Sequence, residues 1–179
     1  MNFCSQCGAP VAQAVPPGDT HLRHVCTACQ AIHYVNPKVV VGCIPEWQDR
    51  ILLCRRAIEP RTGYWTFPAG FMEMGERTEE AAARETHEEA GAQVEGLSLF
   101  ALFTLTYVNQ VHVVFRGTLR EPAFRAGVES LDAQLVPLDK IPWDDLAFKV
   151  IKEILLRYVR DRERGRFAVH VGTVDRRIP

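Results

Sequence analysis

The chain has 179 residues, 47% apolar and 24% charged, an ordinary globular make-up that excludes wholesale disorder and allows one full domain plus a small appendage. A formal net charge of −1 gives no general drive toward nucleic acid or anionic membrane, and no apolar stretch is long enough to span a bilayer. The start, Met1 to Cys7, has no basic region followed by an apolar run, so no secretory signal is read there. This points to the cytoplasm, where six cysteines stay reduced or bind metal.

Residues 1–36 hold four of the six cysteines, in two pairs. Cys4-Ser5-Gln6-Cys7 and Cys26-Thr27-Ala28-Cys29 form two C-x2-C knuckles with eighteen residues between them, the pattern of a closed tetrahedral Zn²⁺ site. A redox pair needs only one such motif, set in a βαβ pattern that is lacking here. His21, His24 and His33 are spare, since four thiolates complete the shell. This segment carries almost no apolar periodicity, so metal binding would supply its folding energy. Asn36-Pro37 punctuates its end.

From Lys38 the chain reads as a domain over residues 37–163. Val39–Ile44 and Arg50–Cys54 read as strands around a turn at Gln48-Asp49, with Cys43 and Cys54 as small buried hydrophobes. Tyr64–Phe67 is a short strand running into Pro68-Ala69-Gly70. A helix follows, with Thr78 as N-cap, Glu79 and Glu80 at its positive end and Gly91 as the stop. Leu97–Val108 and Val111–Leu119 look like long strands joined at Asn109-Gln110, and Leu131–Leu138 alternates as another. A second helix spans about Asp144 to Arg160. Residues 164–179 form a basic tail in which Phe167–Val171 could add an edge strand. The sum is an α/β fold, a mixed sheet sandwiched between helices.

The first helix carries the chemistry. Glu85, Glu88 and Glu89 stand at i, i+3 and i+4, so a helix turns all three to one face. Acids at this spacing repel in water and make sense around a hard cation such as Mg²⁺ or Mn²⁺. The plain alternative is a solvated acidic helix with Arg84 paired to Glu88.

The run Gly70-x5-Glu76-x7-Arg84-Glu85-x-x-Glu88-Glu89-x-Gly91 resembles the signature of the Nudix hydrolases, with Thr86 and Ala92 where larger aliphatic residues are usual. With the cysteine knuckles it resembles the zinc-ribbon subgroup. The resemblance implies an α/β/α Nudix sandwich and metal-dependent hydrolysis of a pyrophosphate link. It assigns Glu85, Glu88 and Glu89 to the catalytic metal, with the backbone carbonyl of Ala69 as a further ligand. Gly70 gives close approach, and Arg84 pairs with Glu76 or a neighbouring acid to hold the loop on the helix. A distant loop often adds an acid, for which Glu129 is the first choice and Asp132 the second. The water-activating base stays open between Glu85, Glu129 and a metal-bound hydroxide.

For the substrate, Tyr34 resembles an adenine- or substrate-contacting position, with a stacking structural role equally open. Arg55, Arg56 and Arg61 could hold phosphates or form a solvated basic patch. Tyr64 and Trp65 are read as core. The bacterial NADH pyrophosphatases carry a Ser-Gln-Pro-Trp-Pro-Phe-Pro segment where this chain has Glu95-Gly96-Leu97-Ser98-Leu99-Phe100-Ala101. Nearly the whole chain is similar to the FAD and ADP-ribose pyrophosphatases of plant chloroplasts, through Asn36-Pro37-Lys38, Pro68-Ala69-Gly70, Glu129-Ser130-Leu131, Leu146-Ala147-Phe148 and His170–Thr173. The resemblance therefore implies a small dinucleotide-type substrate, ADP-ribose or FAD, cleaved to AMP plus ribose 5-phosphate or to AMP plus FMN. The alternative is an NADH or NAD-cap pyrophosphatase. A reading of another class makes the ribbon an RNA- or protein-binding module on a Nudix scaffold, though Arg23 alone between the cysteine pairs is meagre for nucleic acid. Relatives of this type commonly pair, implying a homodimer, and no membrane is implied.

Overall fold

The computed structural model describes residues 1–175, and its contacts fall into two compact units, Met1–Pro37 and the chain from Lys38 onward. In the first, β1 (Val11–Ala14), β2 (Arg23–Cys26) and β3 (Ile32–His33) make a three-stranded antiparallel sheet. These strands, in a segment of little apolar pattern, exist because the knuckles tie their ends. Backbone bonds from Cys4 to Ala9 and from Cys26 to Ala31 close each knuckle at 2.8 and 2.9 Å. Gly8 takes a positive φ of 75° in the permissive position that a knuckle needs. Neither of the large apolar clusters of the molecule includes a residue from this unit.

The second unit is built on one sheet. Its strands are β4 (Lys38–Trp47), β5 (Arg50–Arg56), β6 (Trp65–Thr66), β7 (Ala69–Phe71), β8 (Val94–Leu105), β9 (Gln110–Leu119), β10 (Ser130–Pro137) and β11 (His170–Val174). The main path runs β10-β5-β4-β9-β8-β11, with β6 on β5 and β7 on β4. The β4–β9 and β8–β11 pairs are parallel and the rest antiparallel, so the sheet is mixed. Helix α1 (Thr78–Ala90) covers one face through Ala81, Ala82 and Ala90 on Val41, Cys43, Leu52 and Cys54. Helix α2 (Lys149–Glu163) covers the other through Val150, Ile151, Ile154, Leu155 and Tyr158 on Ile44, Leu53, Phe100 and Phe103. This is the α/β/α sandwich expected. β4 serves both layers because alternate residues face opposite sides.

Three boundaries differ from the sequence reading. Arg77, not Thr78, is the cap of α1, because Glu80 accepts the Arg77 backbone N–H at 3.0 Å while the Thr78 hydroxyl turns to Glu79. The second helix starts at Lys149 rather than near Asp144. The preceding backbone is committed to the sheet, with Trp65 N–H donating to Asp145 O and Ala147 N–H to Trp65 O, both at 2.8 Å. The tail strand lies at His170–Val174, three residues later than expected. Phe167 is instead a packing residue, its ring 5.7 Å from Tyr158 and 6.2 Å from Phe100. The end of the tail, from residue 176, lies outside the described residues.

Candidate active site

The small residues Ala81, Ala82, Thr86 and Ala90 are buried, and they seat α1 so that its acidic side opens toward β7. Glu85 and Glu89, one turn apart, are 8% and 7% exposed, while the Glu88 side chain keeps 56% of its surface. The single acidic face of the sequence therefore divides into two buried acids and one wet one. Burial pushes the Glu85 carboxyl above its usual range. The same effect, followed by the charge of Glu85, raises Glu89 to about 8 against the backbone N–H of Ala69, which it accepts.

Arg84 ties the cluster together. Its guanidinium donates to Glu76 at 2.5 and 3.0 Å, to Glu85 and Glu88 at 2.8 Å each, and to the Phe71 carbonyl at 3.1 Å. These contacts hold Glu76 well below the usual carboxylate range, chiefly through Arg84. The pairing with Glu76 and the i+4 pairing with Glu88 thus occur in the same side chain. Gly70 lies against Glu85. A Cβ there would stand 2.4 Å from all three carboxyl atoms, so any larger residue would push the Glu85 carboxylate out of its place.

Glu129 reaches the same place by a latch. Arg125 and Gly127 donate their N–H groups to the Ala90 and Glu89 carbonyls at 2.8 and 2.9 Å, taking up free acceptors at the end of α1. The loop comes so close that a Cβ on Gly127 would lie 1.8 Å from the Glu88 carbonyl oxygen. A register shift between Ser130 and Asp132 then separates the two candidate acids. Glu129 lines the cavity. The Asp132 carboxylate instead accepts from the Ala133 N–H and the Gln134 amide at 2.8 and 2.7 Å.

The cavity holds about 1120 Å³. Glu85, Glu88, Glu89 and Glu129 form its acidic end with Ala69 and Gly70, and Phe71, Tyr107 and Phe148 are among its apolar walls. Arg56 and Arg61 line it too, Arg56 stacking on Phe148 at 5.2 Å. Arg55 does not. As the strand alternates, its side chain turns away, donates to Gly63 O at 2.8 Å and lines a smaller depression with Tyr64 and Trp65. Tyr34 belongs to the first unit, 61% exposed with the Arg23 guanidinium 5.1 Å from its ring. The aromatic walls and Gly127 escaped the sequence reading. A glycine just before the candidate Glu129 was the only hint of a close approach.

The donors can be weighed against the ions they suggest. The Sγ atoms of Cys4, Cys7, Cys26 and Cys29 all lie within 4.8 Å of one another, with contacts of 3.4 and 3.7 Å. A tetrahedron of thiolates about 2.3 Å from zinc has edges of roughly this length. Backbone N–H groups, that of Cys29 first, draw the Cys26 thiol down to about 6, which favours the ligating thiolate. His33 approaches Cys4 Sγ at 3.2 Å. The carboxylates are not so converged: among the described residues the four cysteines are the only such group at ligand spacing. Their chemistry still fits a hard cation, since two buried acids raise each other's charge penalty and both are oxygen donors.

Comparison with known proteins places these features. The Nudix N-terminal zinc-ribbon family matches residues 2–35 and the NUDIX domain family matches residues 36–158. The chain is a Nudix hydrolase. A solved Nudix hydrolase from Nitrosomonas europaea is 49% identical, superposes with a TM-score of 0.95, and is covered over its whole length by 98% of this chain. An ADP-ribose pyrophosphatase of Methanocaldococcus jannaschii is 32% identical over 68% of this Nudix chain and 75% of its own. The NAD-capped RNA hydrolase NudC of Photobacterium profundum is 34% identical over 64% of this chain but only 41% of its own, and that of Vibrio vulnificus 29% identical over 79% and 53%. The chain thus spans about half the length of those hydrolases. Among the described residues of this Nudix hydrolase, no helix is long and apolar enough to cross a membrane.

Proposed function

We propose that this enzyme hydrolyses the pyrophosphate link of an adenosine-containing dinucleotide, with NADH or an NAD cap as the first substrate class and ADP-ribose as the second. The observation that carries the chemistry is the buried pair Glu85 and Glu89 opening with Glu88 and Glu129 onto one cavity. The sequence alone favoured ADP-ribose or FAD. The NAD-capped RNA hydrolases among the relatives move the first place to the nicotinamide dinucleotides, and the archaeal pyrophosphatase keeps ADP-ribose second. The same relatives make the cap of an RNA a candidate substrate, although the net charge and the sparse cations of the ribbon argue against nucleic acid.

Glu85, Glu88, Glu89, Glu129 and the Ala69 carbonyl would hold Mg²⁺ or Mn²⁺, which neutralises the phosphates and lowers the pKa of an attacking water. Gly70 keeps the phosphate path clear of side chains, and Arg84 with Glu76 fixes the loop on α1. Arg56 lies where it can meet a phosphate oxygen, and a cavity above the roughly 300–1,000 Å³ of ordinary ligand sites has room for two nucleoside-sized halves. Cys4, Cys7, Cys26 and Cys29 would hold structural Zn²⁺, with a homodimer as the assembly.

The test is AMP release from NADH, NAD-capped RNA, ADP-ribose and FAD at equal concentration with Mg²⁺ or Mn²⁺. The highest kcat/KM on NADH or the cap supports the first reading, and on ADP-ribose the second. Zinc-dependent RNA binding with no hydrolysis of any member would replace both with the binding-module reading.

A further inference from the structure

We propose that His112 is a specificity residue, its Nδ1 accepting a hydrogen bond from the nucleoside half of the substrate, from a ribose hydroxyl or the exocyclic amine of adenine. The inference rests on the dinucleotide reading above and extends it to a residue outside the acidic cluster.

His112 lies on β9 in a row of paired residues that starts at the reaction end. Phe71 pairs with Val40 and Val40 with His112, so the three side chains share one face of the sheet and all line the cavity. Two strand spacings, roughly 10 Å, separate Phe71 from His112. Phe71 directly follows Gly70, on which the Glu85 carboxylate rests. A nucleoside attached to a phosphate at the acidic end reaches about this far. The cavity around the row is apolar, with Leu105 and Val108 among its walls.

The imidazole is poised as an acceptor. Its Nε2 lies 3.0 Å from the Gln110 side-chain oxygen, and since that oxygen can only accept, the ring hydrogen sits on Nε2 and the lone pair on Nδ1. Nδ1 is buried with no hydrogen-bond partner among the described residues. An unmet buried acceptor destabilises a protein, so its presence calls for a role that offsets the cost. Burial lowers the His112 pKa to about 4, so the ring is neutral and accepting near pH 7. Because water does not reach Nδ1, a seated nucleoside draws it out by a turn of the ring about its Cβ–Cγ bond, with Gln110 following.

Two substitutions separate the nitrogens. H112N places an acceptor near the Nδ1 position, whereas H112Q places its amide near Nε2 and leaves Nδ1 without a replacement. With Mg²⁺ and the preferred dinucleotide, H112Q is expected to raise KM about tenfold with kcat within about twofold, and H112N to keep most of the affinity. Binding of AMP, IMP, 2′-deoxy-AMP and 3′-deoxy-AMP to wild type and H112Q identifies the donor: the analogue lacking it binds wild type about tenfold more weakly than AMP does, and that difference vanishes in H112Q. In the wild-type chain, AMP also shifts the ¹⁵N resonance of His112 Nδ1. An unshifted resonance at saturating AMP overturns the proposal, as does an unchanged KM in H112Q or an equal rise in KM with a matching fall in Tm in both variants. If no dinucleotide is hydrolysed yet AMP binding weakens in H112Q, the dinucleotide reading fails and the subsite stands. If a dinucleotide is hydrolysed equally well by wild type and H112Q, the dinucleotide reading stands and the subsite fails.

Discussion

Glu89 differs from Glu88 by one residue in sequence and by nearly all of its solvent. With the Glu89 carboxyl raised from 4.5 to about 8, the folded chain binds a proton that the unfolded chain releases between those values. Its contribution to stability is therefore full below about pH 4.5 and is lost as the pH climbs through about 8. In the presence of a chelator, Tm is expected to fall across this window, and Glu89→Gln to flatten the fall. Added Mg²⁺ should restore more Tm at pH 8.5 than at pH 6, because binding no longer displaces the proton. A Tm profile identical in wild type and Glu89→Gln would show that Glu89 is not the titrating group. The spacing of Glu85, Glu88 and Glu89 was legible because helical period alone sets it. Which of them is buried was not, since that depends on how deep Ala82 and Thr86 let the helix sink.

At the scale of elements, the meeting of α1 with the loop before β10 decides where Glu129 lies. Gly127→Ala puts a methyl where the Glu88 carbonyl already stands, so the loop must withdraw and surrender its bonds to Glu89 and Ala90. We expect a loss of roughly 1–3 kcal/mol, the range for overpacking, read as a lower Tm with weaker Mn²⁺ binding. Unchanged Mn²⁺ binding would mean that Glu129 does not depend on this latch. Helix and strand existence was readable from periodicity, as for β4, β5, β9 and α1. The ends were less so, because they answer to tertiary demands: the turn before α2 gives its backbone to Trp65, and Phe167 leaves the strand pattern to fill the gap beside Phe100 and Tyr158. Arg55 and Arg56 part company at the site. Sequence shows two adjacent cations, and only the register of β5 decides that Arg56 faces the cavity.

For the whole molecule, the division at Pro37 separates a unit folded around cysteines from one folded around a core. Among the described residues the two large apolar clusters draw on none before Lys38, so stripping zinc is expected to unfold Met1–Pro37 while the large sheet persists. Calorimetry with a strong chelator should show the sheet's transition retained and zinc released at one ion per chain. Loss of both units together would show that the ribbon's metal supports the core as well. Composition and the cysteine spacing suggest such a division, whereas the cavity, assembled from strands, loops and the head of α2, has no sequence pattern to betray it.

The carboxylates around α1 are held to use a divalent ion to break a P–O–P bridge. The most direct measurement is the Mg²⁺-dependent release of AMP from the best dinucleotide by wild type and by Glu88→Gln, an exposed substitution with little burden on folding. The expected rate vanishes with chelator and falls by about a hundredfold or more in the variant at unchanged Tm. Equal rates in the two proteins, or hydrolysis indifferent to the ion, would contradict this role for the acidic cluster.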